Sequence, residues 1–95
     1  MKRPSIVYAP LGTRGFDPIR LDRCLECDSS DIALGEVSRW TEGNRVIEEV
    51  LVECRSCGAS YKLRYIDIVD EGRRVVTIVD VLSPNGEELG WLGVC

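Results

Sequence analysis

The stretches Cys24-Leu25-Glu26-Cys27 and Cys54-Arg55-Ser56-Cys57 decide how this chain folds. Each has two cysteines three positions apart, which turns both sulfurs inward around one tight turn, and residues 28–53 separate the two turns. Two such turns brought together supply the four thiolates that tetrahedral zinc prefers. Four protein ligands leave no open position for water, so zinc here is expected to be structural and not catalytic. The predicted ligands of one zinc ion per chain are Cys24, Cys27, Cys54 and Cys57.

Two other uses of these cysteines stay open. Disulfides suit secreted proteins, but the only apolar run near Met1 is Ile6–Ala9, too short for a secretory signal. We therefore expect a cytoplasmic protein with reduced thiols. Four thiolates also hold iron, and Gly58-Ala59-Ser60-Tyr61 is similar to the segment that follows a rubredoxin turn. Asp28 departs from that pattern and the aromatic content is only 6%, so zinc is favoured over iron.

Composition limits the function further. The chain has 95 residues, 44% hydrophobic and 29% charged, which fits one soluble globular domain. No stretch approaches the roughly 20 apolar residues of a membrane-spanning helix. The chain contains no histidine, the commonest general base, and no carboxylate pair is placed for acid–base work. A net charge of −4 argues against a generically basic nucleic-acid binder. We expect a protein that is not an enzyme.

The sequence between and after the cysteines predicts two β-hairpins. Ile32–Trp40 and Arg45–Cys54 are expected to pair across Thr41-Glu42-Gly43-Asn44. Ser60–Val69 and Arg74–Leu82 are expected to pair across Glu71-Gly72, with Asp70 facing Arg73. The first register places Ala33, Val37 and Val50 on one face. The second places Tyr61, Leu63 and Tyr65 with Ile78 and Leu82. Tyrosines that alternate with Lys62 and Arg64 point away from them, so core tyrosines are favoured over a platform for single-stranded bases.

The domain divides into three parts by composition. Residues 1–23 hold five basic and two acidic residues and are punctuated by proline and glycine, which predicts a looped or extended basic arm with one short strand at Ile6–Ala9. Residues 24–69 form the metal-binding core. Residues 70–95 add a strand and an apolar tail, expected to fold back as a lid. Cys95 is left without an assigned role.

The order of cysteine turn, hairpin, cysteine turn and third strand resembles the zinc ribbon group. The resemblance covers Arg23 to Val69 and rests on the four cysteines, Gly58 and the β pattern. It implies a small all-β, metal-stabilised domain, which we predict to be an elaborated zinc ribbon of four to five antiparallel strands. Zinc ribbons occur in transcription factors, RNA polymerase subunits, ribosomal proteins, topoisomerases and small regulatory or phage proteins. The resemblance therefore implies a place in transcription or another nucleic-acid-processing assembly.

The leading expectation for function is a zinc-stabilised module that docks on a protein partner. The acidic balance favours protein contact over duplex binding, since phosphate affinity grows with the number of Lys and Arg contacts. The alternatives are direct nucleic-acid binding through the basic arm and the hairpin arginines, electron transfer if the metal is iron, and a homo-oligomer. The candidate interaction residues are Trp40, Arg55 and Trp91, the tryptophans because this residue is enriched at binding hot spots.

Overall fold

A computed structural model describes residues 6–10 and 16–94 of the chain, with side chains from Ile19 to Val94. These residues form strands and turns, and none of them lies in a helix of the length and apolarity that crossing a membrane requires. The strands are β1 (Ile6–Pro10), β2 (Phe16–Arg20), β3 (Ile32–Glu42), β4 (Arg45–Cys54), β5 (Ser60–Asp70), β6 (Arg73–Leu82) and β7 (Glu88–Val94).

All the strands belong to one antiparallel sheet in the order β2-β1-β7-β6-β5-β4-β3. Five of them, β3 to β7, follow one another as a continuous meander, which confirms the predicted all-β antiparallel class. The β1–β2 hairpin extends the sheet to seven strands, more than the four to five expected, because two segments predicted as arm and tail also pair. β7 pairs with β6 along its length and is therefore a strand of the sheet, not a lid.

The basic arm is described only in part. Its predicted strand is present as β1, and β2 pairs with β1 so that Pro18 lies opposite Tyr8. β2 is an edge strand of the sheet, the place where a proline costs no ladder hydrogen bond. The expectations for residues 1–5 and 11–15 and for Cys95 concern positions outside the described residues.

The first hairpin has a tighter turn than predicted. Glu42 pairs with Arg45, so only Gly43 and Asn44 form the loop, and Gly43 takes a φ of 57° that suits glycine. A bulge interrupts β3 between Leu34 and Val37. Val37 still faces Val50 as predicted. The placement of Ala33 on the same face was wrong, because the bulge adds a residue and Ala33 pairs instead with Glu53.

The second hairpin has the predicted turn but a different register. Asp70 pairs with Arg73 around Glu71-Gly72, as expected. Ile68 then pairs with Val76 and Val69 with Arg74, so Val75 has no partner and the rest of β6 is moved by one position. That shift reverses which face each β6 side chain occupies. Val81 and Val79 therefore lie opposite Leu63 and Tyr65, and the prediction that Ile78 and Leu82 would do so was wrong.

The two faces of the sheet have different surroundings. We call the side that carries Val50, Leu63 and Val79 the core face, and the side that carries Glu49, Arg64 and Asp80 the outer face. Leu21, which follows β2, packs on the core face and is 4% exposed. The main buried cluster lies on the core face and consists of Leu21, Val50, Val52, Tyr61, Leu63, Tyr65 and Val79. Ile47 and Leu82 are buried on the outer face. Both tyrosines are therefore core residues, and Lys62 lies on the outer face with Arg64, as the alternation predicted.

Candidate metal centre

The four cysteines predicted as ligands lie together at one end of the sheet. Their Sγ atoms are all within 4.8 Å of one another. Cys24 Sγ is 3.6 Å from Cys57 Sγ, and Cys27 Sγ is 3.5 Å from Cys54 Sγ. Sulfurs placed tetrahedrally around zinc at about 2.3 Å stand about 3.8 Å apart. The arrangement is therefore close to the ligand set of a tetrahedral ion, and the cysteines are free thiols rather than disulfides.

The two cysteine turns have the same backbone design. The N–H of Asp28 donates to the carbonyl of Cys24 at 3.0 Å, and the N–H of Gly58 donates to the carbonyl of Cys54 at 3.1 Å. Asp28 and Gly58 both have left-handed backbone conformations, with φ of 59° and 78°. In the second bond of each turn, Cys24 N–H donates to Ser29 O and Cys54 N–H to Ala59 O, both at 2.8 Å. We call the turns knuckle 1 (residues 24–29) and knuckle 2 (residues 54–59).

Hydrogen bonds also join each knuckle to the other or to residues just after it. The hydroxyls of Ser29 and Ser56 lie 2.8 Å apart, and Arg55 N–H donates to the Asp31 carbonyl at 3.0 Å. On the core side, Leu25 N–H donates to the Tyr61 hydroxyl at 3.2 Å. These contacts connect the turns that carry the four sulfurs. The sequence did not single out the serines or Asp31 and placed Tyr61 only in the core, because these hydrogen bonds join segments distant in sequence.

Each knuckle contributes one buried and one exposed cysteine. Cys24 and Cys54 are 3% and 4% exposed and lie beside the core, whereas Cys27 and Cys57 are exposed. The Cys24 sulfur also accepts a hydrogen bond from Glu26 N–H at 3.4 Å. Hydrogen bonds to thiolate sulfur orient the ligand and temper its charge. One side of the site therefore packs against the core, and the other side is exposed to solvent.

The thiols differ in acidity before a metal binds. The backbone N–H of Cys57 is the main cause that lowers the pKa of Cys54 to about 7. For Cys27, a hydrogen bond from the Ser29 backbone lowers the pKa, but the other three cysteine sulfurs, Cys54 first, and partial loss of hydration outweigh it and raise the pKa to about 12. Burial is the main cause that raises the pKa of the neighbouring Tyr61 phenol. A divalent ion held by the four cysteines would remove this imbalance, because metal ions bind cysteine as the thiolate.

The three candidate interaction residues do not lie together. Arg55 is in knuckle 2, where it forms an exposed ion pair with Asp31 at 3.4 Å. Trp40 lies near the other end of β3, on the outer face and opposite Ile47, and it is half-buried. Trp91 lies on β7, opposite Asp80 and 49% exposed. Only the two tryptophans share a face of the sheet.

Two rows of side chains cross the outer face, and the sequence analysis did not identify either. The first row is apolar and crosses five strands through Trp40, Ile47, Ile66, Ile78 and Val94. The second row runs beside it and contains three charged residues and a tryptophan, Glu49, Arg64, Asp80 and Trp91. Arg64 Nε donates to Glu49 Oε2 at 2.8 Å. Both rows depend on the register after the Val75 bulge, which composition does not reveal.

Comparison with known proteins leaves the family open. No protein-family model matches the chain, and neither the curated proteins nor the solved structures give a significant match. The small antiparallel sheet and the four clustered cysteines are consistent with a zinc-ribbon-like module that is able to hold a metal ion.

Proposed function

We propose that this protein is a non-enzymatic module in which one zinc ion joins the two knuckles and the sheet presents its outer face to a protein partner. The observation that carries the metal assignment is the four-sulfur cage, whose separations suit a tetrahedral ion. All four positions of such an ion are filled by protein, which is the arrangement of structural zinc. Zinc would supply cross-linking of distant turns and no chemistry of its own.

The apolar row on the outer face supports the docking part of the proposal. Ile66, Ile78 and Trp40 remain only half-buried, and Trp91 beside them is 49% exposed. Large apolar side chains that lie next to one another on a surface mark interaction sites more often than scattered ones do. Tryptophan, which contributes much of the binding energy at many interfaces, is present in both rows.

The resemblance to zinc ribbons supports a cytoplasmic partner in transcription or another nucleic-acid-processing assembly. Direct contact with nucleic acid is the second candidate. It rests on the basic residues of the arm and on exposed arginines, which are Arg39, Arg45, Arg73 and Arg74 near the hairpin ends and Arg55 in knuckle 2. The acidic net charge and the pairing of Arg55 with Asp31 favour the protein partner.

Metal analysis tests the first half of the proposal. The purified full chain is expected to be colourless and to carry one zinc per chain. Visible absorption of ferric thiolate would instead indicate iron and an electron-transfer protein, and a chain without bound metal would contradict the assignment.

Affinity capture tests the second half. Zinc-loaded protein on beads is expected to retain a partner from a cell lysate. Beads that carry Trp40→Ala are expected not to retain it, because Trp40 lies in the apolar row. Leu34→Ala is the matched control, since Leu34 is apolar and 56% exposed but lies on the core face. Equal capture by all three proteins would contradict docking through the outer face. Retention of DNA or RNA with a steep salt dependence would support the second candidate instead.

A further inference from the structure

Asp80 is the least expected residue on the outer face. It is 8% exposed, yet no described group donates a hydrogen bond or forms an ion pair with its carboxylate. Buried carboxylates in proteins are normally paired or hydrogen-bonded, because loss of hydration is costly. Asp80 is therefore a largely buried residue whose carboxylate oxygens have no described donor and keep a small contact with solvent.

The cation nearest in the sheet is already engaged. Arg64 lies directly opposite Asp80, but its Nε donates to Glu49 on the other side, and that ion pair is largely buried. Glu88, on β7, adds a second negative charge close enough to act on Asp80. Burial, followed by Glu88, raises the pKa of Asp80, and the weaker attraction of Arg64 opposes this. The described residues around Asp80 thus leave an excess of negative charge.

An aromatic ring stands beside this charge. Trp91 pairs directly with Asp80 across β6 and β7, and it is 49% exposed. The face of an indole ring attracts a cation, most often a guanidinium, and the attraction grows as water is removed. A carboxylate next to an exposed indole is suited to a cation that also presents an apolar stem.

We propose that Asp80, Glu88 and Trp91 form a subsite for an arginine or lysine side chain of the protein partner. The cation pairs with the Asp80 and Glu88 carboxylates and stacks on Trp91. The apolar residues next to it in the partner contact the half-buried row at Ile78. The inference rests on the proposed docking function and specifies the chemistry that the outer face recognises.

Peptide titration of the full zinc-loaded chain tests the subsite. The probe is acetyl-Leu-Arg-Leu-amide, and its control has citrulline, a neutral isostere, in place of arginine. The arginine peptide is expected to shift the NMR signals of the Trp91 indole N–H and the Asp80 amide. The citrulline peptide is expected to bind at least tenfold more weakly to the same unmodified protein, so this comparison does not depend on any variant folding.

Variants locate the binding energy. Asp80→Asn is expected to weaken binding of the arginine peptide at least tenfold. Glu42→Gln makes the same charge change at an exposed site on the outer face, and it is expected to leave this binding unchanged. Equal binding of both peptides, shifts centred elsewhere or no binding would overturn the subsite. Self-association that Asp80→Asn abolishes would overturn it too, by making a second copy the occupant. If capture still depends on Trp40 after such a result, docking stands and only the cation subsite fails.

Discussion

Knuckle 1 and knuckle 2 have the same turn but different supports. Both use a left-handed residue after the second cysteine and the same two backbone hydrogen bonds. Knuckle 2 joins β4 to β5, which pair with each other along most of their length. Knuckle 1 follows the short edge strand β2 and leads into β3, the edge strand at the other side of the sheet. Knuckle 2 is therefore positioned by the sheet itself.

Knuckle 1 depends on contacts that are not part of the sheet. Leu21 anchors the segment before it in the core, and the Tyr61 hydroxyl accepts a hydrogen bond from Leu25 within it. The comparison indicates that a cysteine turn needs either flanking strands or core contacts to be positioned. It also indicates what the proposed zinc ion would contribute, because an ion bound by all four cysteines would tie the less supported turn to the better supported one.

Metal removal is the largest test of this difference. Structural zinc contributes roughly 10–16 kcal/mol in small modules, which rivals the about 5–15 kcal/mol stability of a whole domain. A strong chelator is expected to unfold at least residues 24–69, with loss of strand signal in circular dichroism, and added zinc is expected to restore it. In hydrogen exchange, the backbone amides of knuckle 1 are expected to lose protection before those of knuckle 2. A native spectrum and an unchanged Tm in chelator would show that the sheet does not need the ion.

Removal of one ligand compares the buried and the exposed cysteines. Water can replace the Cys27 sulfur, which is exposed, more easily than the Cys54 sulfur, which is 4% exposed. Cys27→Ser is therefore expected to retain zinc with reduced affinity. Cys54→Ser is expected to bind zinc at least tenfold more weakly than Cys27→Ser does. Competition with a chromophoric chelator measures both. Equal losses would contradict the role of burial.

The Tyr61 hydroxyl tests the core support of knuckle 1. Tyr61→Phe keeps the ring in the core but leaves the Leu25 N–H without its acceptor. The expected loss is about 1 kcal/mol in the free energy of unfolding, because the donor is only partly buried and water can replace part of the lost hydrogen bond. Denaturant melts of zinc-loaded protein measure it, together with faster transfer of zinc to a chelator. Unchanged stability and unchanged zinc transfer would mean that Leu21 alone anchors this turn.

The left-handed residues give the smallest expected effects. Gly58→Ala places a Cβ on a left-handed residue, and we expect a loss of about 1–2 kcal/mol. Asp28→Gly places glycine at the left-handed position of knuckle 1. We expect a gain of at most about 1 kcal/mol in the free energy of unfolding, because aspartate already tolerates this backbone conformation better than most residues. Thermal melts of the two variants compare the turns directly. A stabilising Gly58→Ala would show that this backbone conformation is not the one in solution.

The sequence predicted the local features well. The cysteine spacing indicated four cysteines that lie together, and Glu71-Gly72 indicated a turn that pairs Asp70 with Arg73. These features depend on a few consecutive residues with restricted backbone preferences. The alternation in β5 also placed Tyr61 and Lys62 on opposite faces of the sheet.

The sequence failed where one residue of register matters. The bulges at Val75 and after Leu34 each add an unpaired residue, and each moved predicted partners to the wrong face. Apolar residues occur on both faces of β6, so the hydrophobic pattern did not oppose the error. The edge hairpin was missed in part because Pro18 reads as a strand breaker, although an edge strand accepts it.

The amino-acid order by itself determined the four-cysteine group, the all-β class and the positions of the turns, because each depends on residue type at short spacing. Tertiary structure alone decided which side chains meet across the sheet: Tyr61 with knuckle 1, Arg64 with Glu49, and Asp80 with Trp91. These contacts join residues on different strands, and their register is fixed by packing of the whole sheet and by bulges that cost little locally. The proposed docking face therefore became visible only in the folded chain.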